Sequence, residues 1–440
     1  MNVLLPVFFH SAMGGLHRHI LSSVKVLIRE GHEVTVVCKP GPFAEEVEAL
    51  GGQVMRTDYS KEDVTRVIDA VGTQSFDMVY AHPFDSRQVG LAVAETHGIP
   101  FVLVIHGMYH DEIEQYHASV SRVIAVSERI ATHLVEHCPA IESKLTVIPN
   151  GVDDAFVPDA TSVSSERVTG LFTSRLDADK LFILDVFLDA LEDERIKSLP
   201  IDWLIVGDGT QRKKYASRYG EALEGTSQTM EWLGWVEQDN LPEVMRRADF
   251  VIAPGRSALE GMAVGKPTIA VGSKSYQGLV TPSTWEDIAS TNFGGIGNKY
   301  EGYSTGQIGE AILELMDETT RRELARFSAA LVDEHFRDEA AQRLLLDLLE
   351  EVKREGVEEI EEIDLVARYP HVRYDQLHAR RANRLCSWKL ADREQRLEAM
   401  RNELEATKRH LDELRAIQSN QSTEISQLRS ALQRLSDETE

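Results

Sequence analysis

Residues 249–272 read DFVIAPGRSALEGMAVGKPTIAVG. Both ends are short apolar runs rich in β-branched residues, DFVIAP and KPTIAVG, and residues 257–265 between them have helical spacing. A strand, a helix and a second strand in so short a span make a βαβ unit, whose two strands must run parallel in a sheet covered by helices. The same rhythm extends back through RVTGLFTS, a helix from about Lys180, IDWLIVGDG, a helix, TMEWLGWV and a further helix. Residues 167–335 are therefore expected to form a doubly wound α/β domain.

Closer to the N-terminus the alternation recurs. VLLPVFF, a helix over 16–30, EVTVVC, a helix over 42–50, FDMVYAH, IPFVLVIHG, SRVIAVS and KLTVIPNG spell a first doubly wound domain over residues 1–156. VPDATSVSSE, residues 157–166, offers nothing to a core and is expected to be the interdomain linker. From about 305 to 354 the pattern is helical, with 336–356 as a closing helix for the second half. Two such sheets in tandem set their carboxyl edges across a cleft, where open α/β sheets bind ligands.

The C-terminal segment obeys a different period. Leu397, Leu404, Leu411, Gln418, Ile425 and Leu432 recur every seven residues, and Met400, Thr407, Leu414, Gln421, Leu428 and Leu435 follow each by three. Residues 396–440 are thus expected to form a coiled coil and, lacking a second heptad run in the chain, to self-associate through 397–435. The connecting segment 357–395 turns from acidic (Glu358, Glu359, Glu361, Glu362, Asp364) to basic (Arg368, Arg373, Arg380, Arg381, Arg384, Lys389). Two readings are open for residues 368–393: a solvated helix whose basic face pairs with the acidic body, or peripheral contact with anionic lipid at the inner face of a membrane.

Composition narrows the function classes. The chain has 440 residues, and 72 Asp and Glu outweigh 47 Lys and Arg to give a formal charge of −25, which repels a phosphate backbone; nucleic acid is not expected as a partner. Three scattered cysteines, Cys38, Cys138 and Cys386, suit a reducing compartment. MNVLLPVFF lacks the features of a signal peptide, and no run of about eighteen apolar residues occurs, so a cytoplasmic protein is expected.

Several stretches carry candidate chemistry. Gly14 and Gly15 lie between the first strand and its helix, where free N–H groups can face a phosphate. Arg175 and Lys180 follow a strand five residues apart and could grip a diphosphate. Glu260 stands one turn inside a helix behind Gly255 and Ser257. Taken in order, these segments resemble the retaining glycosyltransferases of family 4, which have the GT-B fold. The resemblance covers roughly residues 1–350: the GG turn, VIHG with His106, VIPNGVD as the link between domains, SRLDADK, IVGDG with Gly207 and Gly209, LGWV with Val236, and RSALEGMAVGKP.

The resemblance implies a site. Arg175 and Lys180 hold the diphosphate of a nucleotide-sugar, with Gly14, Gly15 and the amides of Ala258 and Leu259 completing the anion site. Glu260 accepts hydrogen bonds from the ribose, Val236 offers its backbone to the base, His106 sits by the transferred sugar, and Gly207 and Gly209 form the second glycine turn of the donor site. No cofactor or essential metal is implied, because the cations and amides stabilise the leaving diphosphate. The acceptor is a glycan or a lipid-linked sugar, and the setting is bacterial cell-surface polysaccharide or glycolipid synthesis. One departure stands out: the family often carries a second glutamate eight positions before the helical one, and here that position is Ile252; either Arg256 takes over part of that role or the donor lacks the hydroxyl usually held there, and the sequence does not choose between them.

Other readings compete. Ser257 and Glu260 also spell an S-x-x-E capping box, and His106 could be a hydrogen-bonded histidine at a strand end. His82, His110 and His117 are read as structural. The H-x-x-E-H of residues 133–137 and the D-x-D of Asp177 and Asp179 imitate metal motifs, the first set aside because it lies inside a βαβ repeat and the second because a helix-capping loop explains it better. Two rival functions remain: a non-catalytic GT-B scaffold working through its coiled coil, and a nucleotide-sugar epimerase.

Overall fold

The computed structural model describes residues 1–9, 15–71, 73–158, 167–295 and 303–357, together with Lys408. The heptad segment, the basic run at 368–393, Gly14 and nearly all of the expected linker lie outside the described residues. The chain divides into a unit Met1–Glu361, which holds both sheets, and a unit Glu362–Glu440.

The N-terminal half of the first unit is a seven-stranded sheet built from β1 (Asn2–Pro6), β2 (Glu33–Cys38), β3 (Gln53–Arg56), β4 (Met78–Ala81), β5 (Phe101–Ile105), β6 (Arg122–Ala125) and β7 (Leu145–Val147). The order is β3-β2-β1-β4-β5-β6-β7 and every pairing is parallel, with Leu4 opposite Thr35 and Val79 opposite Phe101. Helices α1 (Gly15–Arg29), α2 (Pro42–Ala49), α3 (Lys61–Val71), α4 (Asp85–His97) and α5 (Glu128–His137) connect the strands. Covered on both faces, the central strands have no solvent side, and FVLVI of β5 is buried at all five positions.

The second sheet comprises β8 (Val168–Thr173), β9 (Ile201–Val206), β10 (Thr229–Gly234), β11 (Phe250–Ala253), β12 (Thr268–Val271) and β13 (Tyr276–Leu279), in the order β10-β9-β8-β11-β12-β13. Helices α6 (Leu181–Glu192), α7 (Glu194–Lys197), α8 (Arg212–Leu223), α9 (Leu241–Arg246), α10 (Gly255–Ala263) and α11 (Trp285–Ser290) accompany it, followed by α12 (Gln307–Glu314), α13 (Glu318–His335) and α14 (Asp338–Glu355). The edge strand β13 runs antiparallel to β12, which the sequence pattern did not indicate. Each sheet reverses its strand order next to its first strand, so the loops after β1 and β4, and after β8 and β11, flank a switch-point crevice.

Two expectations about the domain ends are corrected. The chain changes domain at Pro149, Asn150 and Gly151: Ile148 belongs to the first core, whereas Val152 and Phe156 already pack with Leu259, Met262 and Phe336 in the second. Residues 157–166 therefore follow the crossing rather than make it. The closing helix also closes the other half, because Leu345, Leu349 and Val352 of α14 join the first core. Arg122 anchors α14 through Glu355 at 2.6 Å and Glu351 at 3.2 Å, and Lys353 meets Asp77 at 3.0 Å. The sequence could not show this, since the apolar stripe of α14 fits either sheet. Where outgoing and returning strands pass, the Val152 amide donates to the Phe336 carbonyl at 2.8 Å and the Asp338 amide to the Val152 carbonyl at 3.0 Å. No helix among the described residues is long and apolar enough to cross a membrane.

Candidate functional site

A cavity of about 350 Å³ opens at the switch point of the second sheet and reaches α1 of the first domain. Among the residues expected in the site, Gly15, Arg175, Lys180, Gly207, Val236, Arg256, Ser257 and Glu260 line it. His106, Gly209, Ala258 and Leu259 do not.

The loop after β8 supplies the cations. Arg175 is held in a carboxylate clamp, Nη1 donating to Asp177 at 2.7 Å and Nη2 to Asp179 at 2.8 Å. The D-x-D does lie in a helix-capping loop, with Asp177 at the N-cap position of the 3-10 turn Ala178–Lys180, but the Asp177 side chain makes no cap bond, and its other oxygen accepts from the Thr210 amide at 3.1 Å. That amide first, and the Arg175 charge after it, hold the Asp177 carboxyl below its usual range against the opposing effect of burial. Lys180 donates to Ser273 Oγ and lies 3.5 Å from Asp179. Burial pulls the Lys180 ammonium below its ordinary pKa, Asp179 opposes, and Arg175 adds to the lowering. Two cations so close, one largely buried, gain most from an anion that bridges them.

Backbone crowding requires the glycine turn after β9. A Cβ on Gly207 would stand 1.9 Å from the Ser174 carbonyl oxygen, so only glycine lets the loops after β8 and β9 close together. Leu176 then donates to the Asp208 carbonyl at 2.9 Å and Gln211 to the Leu176 carbonyl at 2.7 Å. Gly209 serves the same closure, its Cβ position falling 2.6 Å from the Leu176 carbonyl.

Helix α10 starts after a connection of one residue, Pro254, which is also its N-cap. Ser257 is thus inside the helix and caps nothing, which removes the capping-box reading. Glu260 is 3 % exposed; its Oε1 accepts from Gln238 Nε2 at 3.0 Å and from Arg256 Nε at 3.1 Å. Ala258 and Leu259 are core side chains, and the Ala258 amide points to the Pro254 carbonyl at 3.4 Å. Ile252 lies wholly buried within β11, opposite Phe172 and Ile269. It is therefore no replacement for a sugar-facing acid: the short connection puts that position in the core.

Among the cavity residues that escaped the sequence reading are Arg18 of α1, Ser273, Gln238, Trp235 and Asn292. Trp235 is 52 % exposed beside Val236, and an aromatic so open on a cavity wall was the one signal available in LGWV. Asn292 accepts from Asn150 Nδ2 at 3.1 Å and so ties the domain crossing to the cavity rim.

His106, half-buried at the end of β5, joins a histidine cluster at the carboxyl edge of the first sheet. Its Nε2 shares a 2.9 Å hydrogen bond with His82 Nδ1, and the His19 ring stands edge-on at 4.9 Å. Burial depresses all three imidazoles: His19 to about 4, with Arg256 adding to it, and His82 and His106 well below their usual range, with neighbouring imidazoles adding to it. All three are neutral at neutral pH. His133 and His137 sit on α5 with His137 Nδ1 at 2.8 Å from the His133 carbonyl. Among the described residues no group of three His, Cys, Asp or Glu is placed to hold a metal ion.

Comparison with known proteins gives this geometry a context. Residues 13–156 match the sequence model described as Glycosyltransferase Family 4, and residues 167–290 the one described as Glycosyl transferases group 1. An uncharacterized glycosyltransferase of Methanocaldococcus jannaschii is 25% identical over 58% of this chain and 76% of its own length. A phosphatidyl-myo-inositol mannosyltransferase of Mycolicibacterium smegmatis is likewise 25% identical, over 58% of this chain and 72% of its own. Among solved structures, a glycosyltransferase from Rickettsia africae superposes with a TM-score of 0.65 at 19% identity, covering 80% of this chain and 98% of that one. Anabaena Alr3699/HepE, solved in complex with UDP and glucose, superposes with a TM-score of 0.58 at 18% identity, covering 80% of this chain and all of the other. With both halves matched in tandem and two Rossmann-like sheets facing one cleft, the globular body is that of a GT-B glycosyltransferase of the family 4 type.

Proposed function

We propose that the protein is a retaining hexosyltransferase that moves a sugar from a nucleoside diphosphate donor, a UDP- or GDP-sugar, onto a glycan or lipid-linked acceptor in cell-surface polysaccharide or glycolipid synthesis. One observation carries the reading: Arg175, Lys180 and the buried carboxylate of Glu260 line a single cavity at a sheet switch point. Among the described residues, both hydrogen bonds to the Glu260 carboxylate fall on Oε1, which leaves Oε2 for the ribose hydroxyls. Arg175 and Lys180 bind the diphosphate and offset the charge that develops as the sugar leaves. Trp235 stacks on the base beside the Val236 backbone.

The acceptor hydroxyl attacks the anomeric carbon on the face from which the diphosphate departs. The glycosidic C–O bond forms as the sugar–phosphate bond breaks, and the acceptor proton passes to the departing phosphate oxygen. Such a step needs neither a protein nucleophile nor a bound metal. Neutral His106 lines the acceptor side and donates or accepts a hydrogen bond without adding charge.

The test is a thermal-shift panel of UDP, GDP, CDP and ADP against the wild type, Arg175→Ala and Glu260→Ala. A ligand at about a hundred times its dissociation constant adds roughly 2.7 kcal/mol. A shift with one base, absent in both variants, supports the reading; no shift with any base overturns it.

A further inference from the structure

One side chain narrows the identity of the donor sugar, an inference that rests on the nucleotide-sugar reading of the site. Arg256 lies in the first turn of α10, lines the cavity and is only 11% exposed. Its Nε is engaged by Glu260, but its Nη1 is buried and meets no hydrogen-bond acceptor among the described residues. A guanidinium has donors and no acceptor, so Arg256 is short of an acceptor that a ligand entering the cavity it lines can supply.

Its place in the cleft indicates which part of the ligand. Arg175, Lys180 and Glu260 all belong to the second domain, so a sugar leaving the diphosphate for an acceptor extends toward the first. Arg256 reaches across to the first domain: a Cβ on Gly15 of α1 would lie 3.9 Å from its Cβ and Cδ, while Arg18 of the same helix, which also lines the cavity, is paired with Glu46 at 2.8 Å. Its charge is also felt by His19 on the same helix as Gly15.

The surrounding chemistry selects the substituent. A neutral hexose presents hydroxyls, each a donor as well as an acceptor, so a site that satisfies them includes acceptors such as carboxylates. The turn before Glu260 supplies none, since Pro254, Gly255, Arg256 and Ser257 carry no acid and Ile252 is in the core. A guanidinium fork instead matches the two oxygens of a carboxylate. We propose that Arg256 binds a carboxylate on the transferred sugar, so that the donor is a nucleoside diphosphate uronate.

The experiment is calorimetric titration of the full chain with UDP, GDP, CDP and ADP, then with the uronate and the matching neutral hexose of whichever base binds, such as UDP-glucuronate against UDP-glucose or GDP-mannuronate against GDP-mannose. The readout is the ratio of neutral to uronate dissociation constants for the base that binds. It is expected to be about tenfold or more in the wild type, to collapse toward one in Arg256→Gln, and to fall between in Arg256→Lys, which keeps the charge but loses the fork. Circular dichroism melts check that the variants fold, and Arg256→Lys carries the test if Arg256→Gln does not. A ratio near one in the wild type, or one that persists in the folded variants, overturns the proposal while leaving the nucleotide site standing. Failure of every nucleoside diphosphate to bind removes this proposal together with the glycosyltransferase reading.

Discussion

Gly151 and Asp338 touch where the chain passes between the domains in both directions: a Cβ on Gly151 would lie 2.4 Å from Asp338 Cα and 2.9 Å from its amide nitrogen. The outgoing and returning segments are backbone to backbone, and the bridge between Val152 and Arg337 beside them is parallel. Relative placement of the two halves of the cleft thus depends on one missing methyl group.

Gly151→Ala is expected to destabilise the chain by about 1–3 kcal/mol, because the contact is with backbone that cannot rotate away. Gly220→Ala is the control: it lies in α8 with nothing within 4 Å of its Cβ position and is expected to gain about 0.5–1 kcal/mol. Urea unfolding of both variants checks the pair, and equal midpoints would refute the close approach.

Acid should weaken the fold through His19. Its folded pKa of about 4 lies below the unfolded value of 6.5, so between those pH values the unfolded chain takes up a proton that the folded one refuses. That contribution is intact above pH 6.5 and is lost progressively as pH falls to about 4, amounting to about 3 kcal/mol. His82 and His106 are depressed in the same sense and add to the slope. Denaturant titrations from pH 7 to pH 4 should show a shallower fall for His19→Gln than for the wild type.

Removing Arg175 should cost nucleotide affinity more than stability. With its side chain 39% exposed, Arg175→Ala is expected to change the unfolding free energy little, whereas loss of charge-assisted bonds to a diphosphate costs about 2 kcal/mol, roughly thirtyfold in affinity. Calorimetry and thermal melts on one preparation separate the two.

Since Asp177 and Asp179 are already engaged by a guanidinium, chelation should leave diphosphate binding unaltered within about twofold. Titrations in EDTA and in Mn²⁺ decide the point; a large gain in Mn²⁺ would mean that the metal displaces Arg175.

Trp235→Ala is expected to weaken nucleotide binding by about 1 kcal/mol through lost stacking. Half exposed, the residue contributes little to the core, and stability should stay within about 0.5 kcal/mol. Quenching of tryptophan fluorescence by the bound nucleotide gives an independent readout.

Much of this molecule was legible in the chain because strand and helix periods are local. VLLPVFF, FVLVI and FVIA read as buried strands, and GDG reads as a turn. Arg175, Lys180 and Glu260 were legible for the same reason, each lying a fixed distance from a strand end. Their partners were not: Ser273 lies 93 residues from Lys180 and Gln238 lies 22 from Glu260, and no spacing rule connects them. The capping box failed because Ser257 is one of two positions at which α10 could begin, and Pro254 at the end of β11 starts the helix earlier.

By itself, then, the order of residues determined two doubly wound sheets, though not the antiparallel edge of the second, together with the loops at their carboxyl edges and the charged groups those loops carry, since each follows from hydrophobic period and turn chemistry within a few residues. Tertiary structure decided which core α14 joins, where the chain crosses between domains, and that Arg256 and Gly15 face each other across the cleft. These depend on which of several equally apolar or equally polar surfaces meet. That choice is made by packing between segments far apart in the chain, as where Gly151 leaves room for Asp338.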